Sequence, residues 1–148
     1  MYKHILIPTD GSEVAEKAVD AGTSYAQEAG AKVLFFTAMP AYPQPSEAQM
    51  YARQPFKSIM QYEADAGSAA AEILGRVARK AKDANVAFHT DYALSDHPYE
   101  AIIAAAKQHG CDAIFMASHG RAGLDGWLHG SHTRDVLTHS DIPTLVYR

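Results

Sequence analysis

Small and hydroxyl-bearing residues follow an apolar run near the C-terminal end of the chain, and their spacing suits the binding of an anion. The run Ala113-Ile114-Phe115-Met116 leads into Ala117-Ser118-His119-Gly120, and nine residues separate Gly120 from Gly130-Ser131. A turn of this kind, between a buried strand and a new helix, presents backbone N–H groups beside a positive helix end, which binds phosphate with little help from side chains. The pattern predicts a nucleotide site, and its alternative is a turn and a helix cap without a ligand.

A second polar turn is predicted near the N-terminus. There Ile5-Leu6-Ile7 runs directly into Pro8-Thr9-Asp10-Gly11-Ser12. Ligands of open parallel sheets bind beyond the carboxyl ends of strands, where the connections diverge to opposite faces. We therefore expect the two turns to lie side by side, although Asp10 could also serve only as half of an Asp-Gly turn, with its carboxylate accepting local N–H groups.

Apolar periodicity predicts the elements that position these turns, in the order βαβαβαβαβ. This alternation implies a doubly wound α/β fold: a five-stranded parallel sheet with right-handed crossovers and helices on both faces, for which the expected strand order is 3-2-1-4-5. The predicted strands cover 3–9, 32–38, 86–94, 112–117 and 143–147, and the predicted helices cover 12–29, about 57–83, 98–109 and 131–139.

Two features of the middle of the chain complete the prediction. An irregular loop is expected at about 39–56, because its four prolines disfavour both a regular helix and a central strand. The helix that follows carries apolar residues alternately four and three apart, and this stripe is predicted to pack on the sheet. Its members are Met60, Ala64, Gly67, Ala71, Leu74, Ala78 and Ala81.

Composition bounds the class of protein. With 148 residues, 47% of them hydrophobic, the chain is predicted to form a single domain over residues 1–148. The formal charge of −4 and the scattered basic residues argue against nucleic-acid binding. No apolar run reaches membrane-spanning length, no secretory signal is recognisable, and Cys111 is the single cysteine, so we expect a cytoplasmic protein that does not act at a membrane.

Over essentially its whole length the sequence resembles the universal stress protein family, from Ile-Leu-Ile-Pro-Thr-Asp-Gly-Ser at the start to Pro-Thr-Leu-Val-Tyr at the end. Nucleotide-binding members carry Gly-x-x-Gly-x(9)-Gly-(Ser/Thr), which Gly120, Gly130 and Ser131 match. The first position is Ala117, a departure from that signature. The added methyl group either crowds a ligand or disfavours a positive φ, or it lines the ribose side of the site without penalty.

The resemblance implies a role for each matching position. Pro8, Thr9 and Asp10 would face the nucleotide, with Asp10 near the ribose or near a phosphate-bound magnesium ion. Ala38 would meet adenine, Met116 the base or ribose, and Ala117 the ribose side. The phosphates would be surrounded by His119, Gly120, Gly130 and Ser131, and Arg121, the one cation in this loop, is either a partner of the terminal phosphate or solvated.

The function implied by the resemblance is that of a stress-response sensor or adaptor that binds ATP or another adenine nucleotide, either alone or together with Mg²⁺. No P-loop lysine motif and no evident water-activating base occur, so at most weak ATP hydrolysis is expected. The alternatives are a dimeric interaction protein of the same fold without functional nucleotide binding, which Ala117 would favour, and a slow ATPase. A homodimer through the edge strand at 143–147 and an unidentified protein partner are also expected; the alternative is an edge protected by a loop or by Arg148.

Other reactive residues receive plainer interpretations. Cys111 is expected to be a packed thiol rather than a nucleophile. Trp127 either anchors its loop or marks a contact surface. Solvated histidines are preferred to a metal site for His119, His129, His132 and His139.

Overall fold

The fold consists of five strands that alternate with helices. We describe a computed structural model that covers residues 1–53, 55–118 and 130–148. The elements are β1 (His4–Pro8), α1 (Glu13–Ala29), β2 (Lys32–Met39), α2 (Glu47–Tyr51), α3 (Ile59–Asp83), β3 (Phe88–Leu94), α4 (Pro98–Gln108), β4 (Ala113–Ala117), α5 (Gly130–His139) and β5 (Thr144–Tyr147).

The strands form one parallel sheet in the order β3-β2-β1-β4-β5, which confirms the predicted fold and strand order. Successive side chains alternate between the two faces, so Ile5 and Ile7 pack with α1 and α3 while Leu6 packs with α4 and α5. Both faces of the central strands are covered, and this is why β1 and β4 are buried at every position.

Helix α1 shows how local sequence sets the bounds of an element. Ser12 is its N-cap, with Oγ accepting the Ala15 N–H at 3.3 Å. Gly30 ends it in the left-handed conformation, with φ at 65°. The helix can lie close to the sheet because Gly22 faces Ile7 and Phe115. Ser12 and Gly30 therefore set the bounds of α1, and Gly22 allows its close approach to the sheet.

The predicted irregular loop contains a short helix, so that prediction was wrong over α2. Between Pro45 and Pro55 the chain has no proline, and Ser46 forms a capping box with Gln49 that satisfies backbone groups at the start of α2. The flanking stretches are held by two tyrosines: Tyr42 Oη donates to the Lys57 carbonyl oxygen at 2.6 Å, and Tyr62 Oη donates to that of Pro40 at 2.7 Å.

The predicted core stripe of α3 is also wrong for most of its length. Met60 is 79% exposed, and of the predicted set only Leu74 and Ala81 are buried. Alanine and glycine occur on several sides of α3, so apolar spacing alone could not identify the side that meets the sheet. The buried residues are Ala66, Ala70, Leu74, Val77 and Ala81.

Helix length and hydropathy leave no membrane-crossing helix in the part of the chain that the structure describes.

Candidate functional site

The turn from β1 to α1 is built by short polar contacts. Thr9 is fully buried, and its N–H donates to the Phe36 carbonyl oxygen of β2 at 2.8 Å. The Thr9 hydroxyl oxygen accepts the N–H of Gly11 at 3.1 Å, and Gly11 takes a φ of +79° that favours glycine. Asp10 Oδ1 accepts the Ser12 N–H at 2.9 Å. The Asp10 carboxylate is therefore oriented at the start of α1, on the carboxyl side of the sheet.

A cleft of about 220 Å³ opens beyond the ends of β2 and β3. Asp96 ties two of its walls together, since Asp96 Oδ1 accepts the Ala41 N–H at 3.0 Å. The Ser95 N–H donates to the Met39 carbonyl oxygen at 2.8 Å and continues the pairing of the strands into the turn. The lining residues are Ala38, Pro40, Ser95, Asp96, Pro98 and His132. Whole-ligand pockets span about 300–1,000 Å³, so this cleft fits one moiety of a larger ligand.

The end of β4 is held rigidly to its neighbours. Ala117 is an extended strand residue paired with Tyr147 of β5, and its methyl group packs into the core on the α1 and α3 side. It therefore does not require the positive φ that one interpretation of the departure assumed. The Ala117 carbonyl oxygen accepts the hydroxyl of Thr133 at 2.9 Å, which ties the first turns of α5 to the strand.

The predicted site residues of β1, β2 and β4 lie at one edge of the sheet, because the carboxyl ends of parallel strands share that edge. Ala38 lines the cleft, and Met116 is fully buried on the side that faces α4 and α5. Helix α5 begins at Gly130, and Ser131 in its first turn is exposed. The predicted roles of His119, Gly120 and Arg121, and those considered for Trp127 and His129, fall outside the described residues.

Several cleft residues were not singled out from the sequence for this role: Pro40, Ser95, Asp96, Pro98 and His132. Ser95-Asp96 carried a usable signal, because the pair follows β3 directly, just as Thr9-Asp10 follows β1. His132 reaches the cleft from a distant part of the chain, and no local pattern predicts that placement.

Cys111, the single cysteine of the chain, is buried. Burial, and next the negative charge of Asp112, raise the pKa of the Cys111 thiol to about 11, so the thiol stays protonated at neutral pH. Within the described ranges, no group of three or more His, Cys, Asp or Glu side chains is arranged to hold a metal ion.

The fold and the cleft define a class: doubly wound α/β proteins with an opening for part of a ligand beyond the carboxyl ends of their strands. The family follows from comparison with known proteins. The sequence matches the Universal stress protein family over residues 1–148, and the chain belongs to that family.

Individual relatives support this membership. Universal stress protein MJ0577 of Methanocaldococcus jannaschii is 29% identical over 168 residues, which cover 100% of this chain and 96% of the relative. A solved structure of MJ0577 superposes with a TM-score of 0.75 at 26% identity, covering 99% of this chain and 95% of that one.

Two more distant structures share the fold and contain nucleotides. A universal stress protein in complex with cAMP has a TM-score of 0.70 at 23% identity, with 99% of this chain and 97% of that chain covered. The universal stress protein from Archaeoglobus fulgidus in complex with dAMP has a TM-score of 0.65 at 15% identity, with 99% and 98% covered.

Proposed function

We propose that this universal stress protein is a cytoplasmic sensor or adaptor that binds ATP or another adenine nucleotide at the carboxyl edge of its sheet. The observation that carries the proposal is the placement of the cleft beside Ala38 at the same edge as the Asp10 turn and the start of α5. Fold relatives crystallised with cAMP and dAMP support an adenine nucleotide as the ligand class.

Different residues of the cleft suit different parts of a nucleotide. Ala38, Pro40 and Pro98 offer apolar walls to a base, and Ser95 and Asp96 add polar groups at its rim. A volume of about 220 Å³ accepts a base or a sugar but not a triphosphate, which must extend towards α5.

The phosphate end would be held mainly by the backbone. The first turn of the ten-residue helix α5 has N–H groups without partners inside the helix, and the exposed Ser131 adds a hydroxyl group. Asp10 supplies the oxygen ligand that Mg²⁺ prefers, and a bound Mg²⁺ would offset phosphate charge on a protein whose own net charge is −4.

Occupancy of the nucleotide site would be signalled by a homodimer. At the β5 edge, Val146 and Tyr147 are about 40% exposed, and Leu137 of α5 is exposed too. Among the described residues β5 has a strand neighbour on one side only, and an apolar edge strand of this kind favours pairing with a second copy across a two-fold axis, so the homodimer would form through residues 143–147. The segment from Gly120 to Gly130 then meets an unidentified protein partner.

Isothermal titration of ATP, with and without Mg²⁺, tests the nucleotide proposal. Ser131→Ala removes a charge-assisted hydrogen bond of roughly 1.5–3 kcal/mol, so Kd should rise about tenfold or more. Gly130→Val should abolish the ligand-induced rise in Tm. Ser24→Ala, on the exposed side of α1, is the control and should leave Kd unchanged. Absence of ATP binding by the unmodified protein at millimolar nucleotide would contradict the proposal.

The second candidate is a dimeric interaction protein that binds no nucleotide. Ala117 favours it, because the signature glycine is absent and the β4 end is fixed by core packing and by Thr133. This candidate predicts an intact dimer whose Tm does not respond to ATP. A slow ATPase would instead release phosphate at a rate that Asp10→Ala lowers.

A further inference from the structure

A groove of about 490 Å³ runs between α3 and the edge strand β3, on the side of the molecule away from β5. Its walls include Gly67, Ala71 and Ala78 of the predicted α3 stripe. Gly67, Ala71, Gly75 and Ala78 supply the helix wall, and Phe88, Thr90 and Tyr92 supply the strand wall. Space is ample at Gly75, where an added Cβ would meet nothing within 4 Å.

The backbone N–H and C=O groups of the even-numbered residues of β3 point away from β2, towards the open edge of the sheet. Hydrogen bonds link the Ala87 carbonyl oxygen to Val33 and the Ser95 N–H to Met39, both on the β2 side. Peptide groups alternate along a strand, so the N–H and C=O groups of Phe88, Thr90 and Tyr92 point to the open side. Within the described part of the chain, β3 has a strand neighbour on one side only.

We propose that the occupant of this groove is β3 of a second copy of the chain, paired antiparallel across a two-fold axis at Thr90. In this register Thr90 faces Thr90 of the second copy, and Phe88 faces the other copy's Tyr92. His89 then stands opposite Asp91, where an imidazole and a carboxylate attract each other. The groove is thus the position of a missing sixth strand.

Charge and shape select this register over its neighbours. A two-fold axis at Asp91 would place two carboxylates directly opposite each other, which is destabilising. An axis at His89 would leave Phe88 opposite Thr90 and lose the aromatic pair. With the axis at Thr90, two Phe–Tyr pairs lie on the α3 side, against the small residues of the helix.

The hydrogen bonds at the edge are exchanged rather than lost. In one chain the Tyr92 N–H donates to Asp91 Oδ1 at 2.8 Å, and Asp91 Oδ2 lies 2.8 Å from His109 Nε2. On pairing, the Tyr92 N–H turns to the carbonyl oxygen of Phe88 in the other copy. Asp91 Oδ1 then accepts from the imidazole of His89 in that copy, while its contact with His109 persists.

The inference is independent of nucleotide binding and uses the sheet edge opposite β5. Because the two edges belong to one sheet, self-pairing at both allows assemblies larger than a dimer. Native mass spectrometry and light scattering over a dilution series can separate the two contacts. Val146→Lys places a charge in the β5 edge, and this variant should remain dimeric through β3.

Variants of β3 complete the test in the Val146→Lys background. Thr90→Pro removes an outward N–H without touching the β2 pairing and should convert dimer to monomer. Thr90→Val is the matched control and should stay dimeric. Gly75→Leu, which fills the groove from the helix side, should also give monomer.

The inference is overturned if Val146→Lys alone is monomeric at all concentrations, or if Thr90→Pro and Gly75→Leu both remain dimeric. A monomeric Val146→Lys variant would still agree with the proposed β5 dimer of the unmodified protein.

Discussion

At the scale of single residues, Thr133 joins the two parts of the candidate site. Its hydroxyl group donates to the Ala117 carbonyl oxygen while its own side chain is buried, so the contact fixes α5 against the end of β4. A buried carbonyl oxygen that loses its donor costs free energy, because water cannot replace the bond. The Thr133 hydroxyl group is therefore one of the contacts that orient the start of α5.

Replacing Thr133 by valine, which keeps the shape of the side chain, should lower the free energy of unfolding by about 1–3 kcal/mol. Thr138→Val is the matched control on the same helix, since the Thr138 hydroxyl bonds the Arg134 carbonyl oxygen at an exposed position. The control should change stability by about 0.5 kcal/mol or less. Urea denaturation measures both, and equal losses would show that burial of the Thr133 contact is unimportant.

At the scale of elements, the two helices α1 and α3 use glycine for opposite purposes. A Cβ at Gly22 in α1 would lie 2.6 Å from the buried Ile7 Cδ1 and 3.1 Å from Phe115 Cδ1, so glycine permits close packing there. Gly75 in α3 faces open space in the groove. Helix propensity and packing therefore act in opposite directions at Gly22 but not at Gly75.

Gly22→Ala should destabilise the protein by about 1–3 kcal/mol, because overpacking exceeds the gain in helix propensity. Gly75→Ala should stabilise it by about 0.5–1 kcal/mol through propensity alone. Thermal denaturation of the pair gives the comparison. A stabilising Gly22→Ala would mean that α1 can move away from the sheet at little cost.

At the scale of the whole molecule, stability should depend on pH through His4, which begins the central strand β1. The ring of His4 is buried and its Nε2 has no hydrogen-bond partner among the described residues. Burial lowers the pKa of His4, the positive charge of Lys32 lowers it further, Asp112 opposes the shift, and His109 and His89 add to it. The folded state therefore disfavours a proton that the unfolded chain accepts at a pH of about 6.5.

The contribution of His4 to the free energy of unfolding should be complete above the unfolded-state pKa of His4. It should decrease as the pH falls below that value, until the lower folded-state pKa is reached. His4→Phe should remove this part of the pH dependence. His97→Gln, at an exposed position before α4, should leave it unchanged. Denaturation curves measured from neutral to mildly acidic pH test the expectation, and an unchanged slope in His4→Phe would contradict it.

The sequence by itself determined the alternation of the five strands with helices α1, α3, α4 and α5, and the polar turn beside β1. These follow from local causes: continuous apolar runs where strands are covered on both faces, the Ser12 cap, the Gly30 stop and the polar residues that end each strand. Local signals of this kind are complete within a few residues. They need no knowledge of distant segments.

Only the tertiary structure decided which side of α3 is buried, that His132 and Asp96 share a cleft, and that Ala117 is an ordinary strand residue. The face that α3 buries depends on where the helix crosses β2 and β3, and its alanines and glycines suit several orientations. The walls of the cleft come from segments far apart in the chain, and their meeting is set by the packing of the whole sheet. Spacing along a sequence carries no direct record of such contacts.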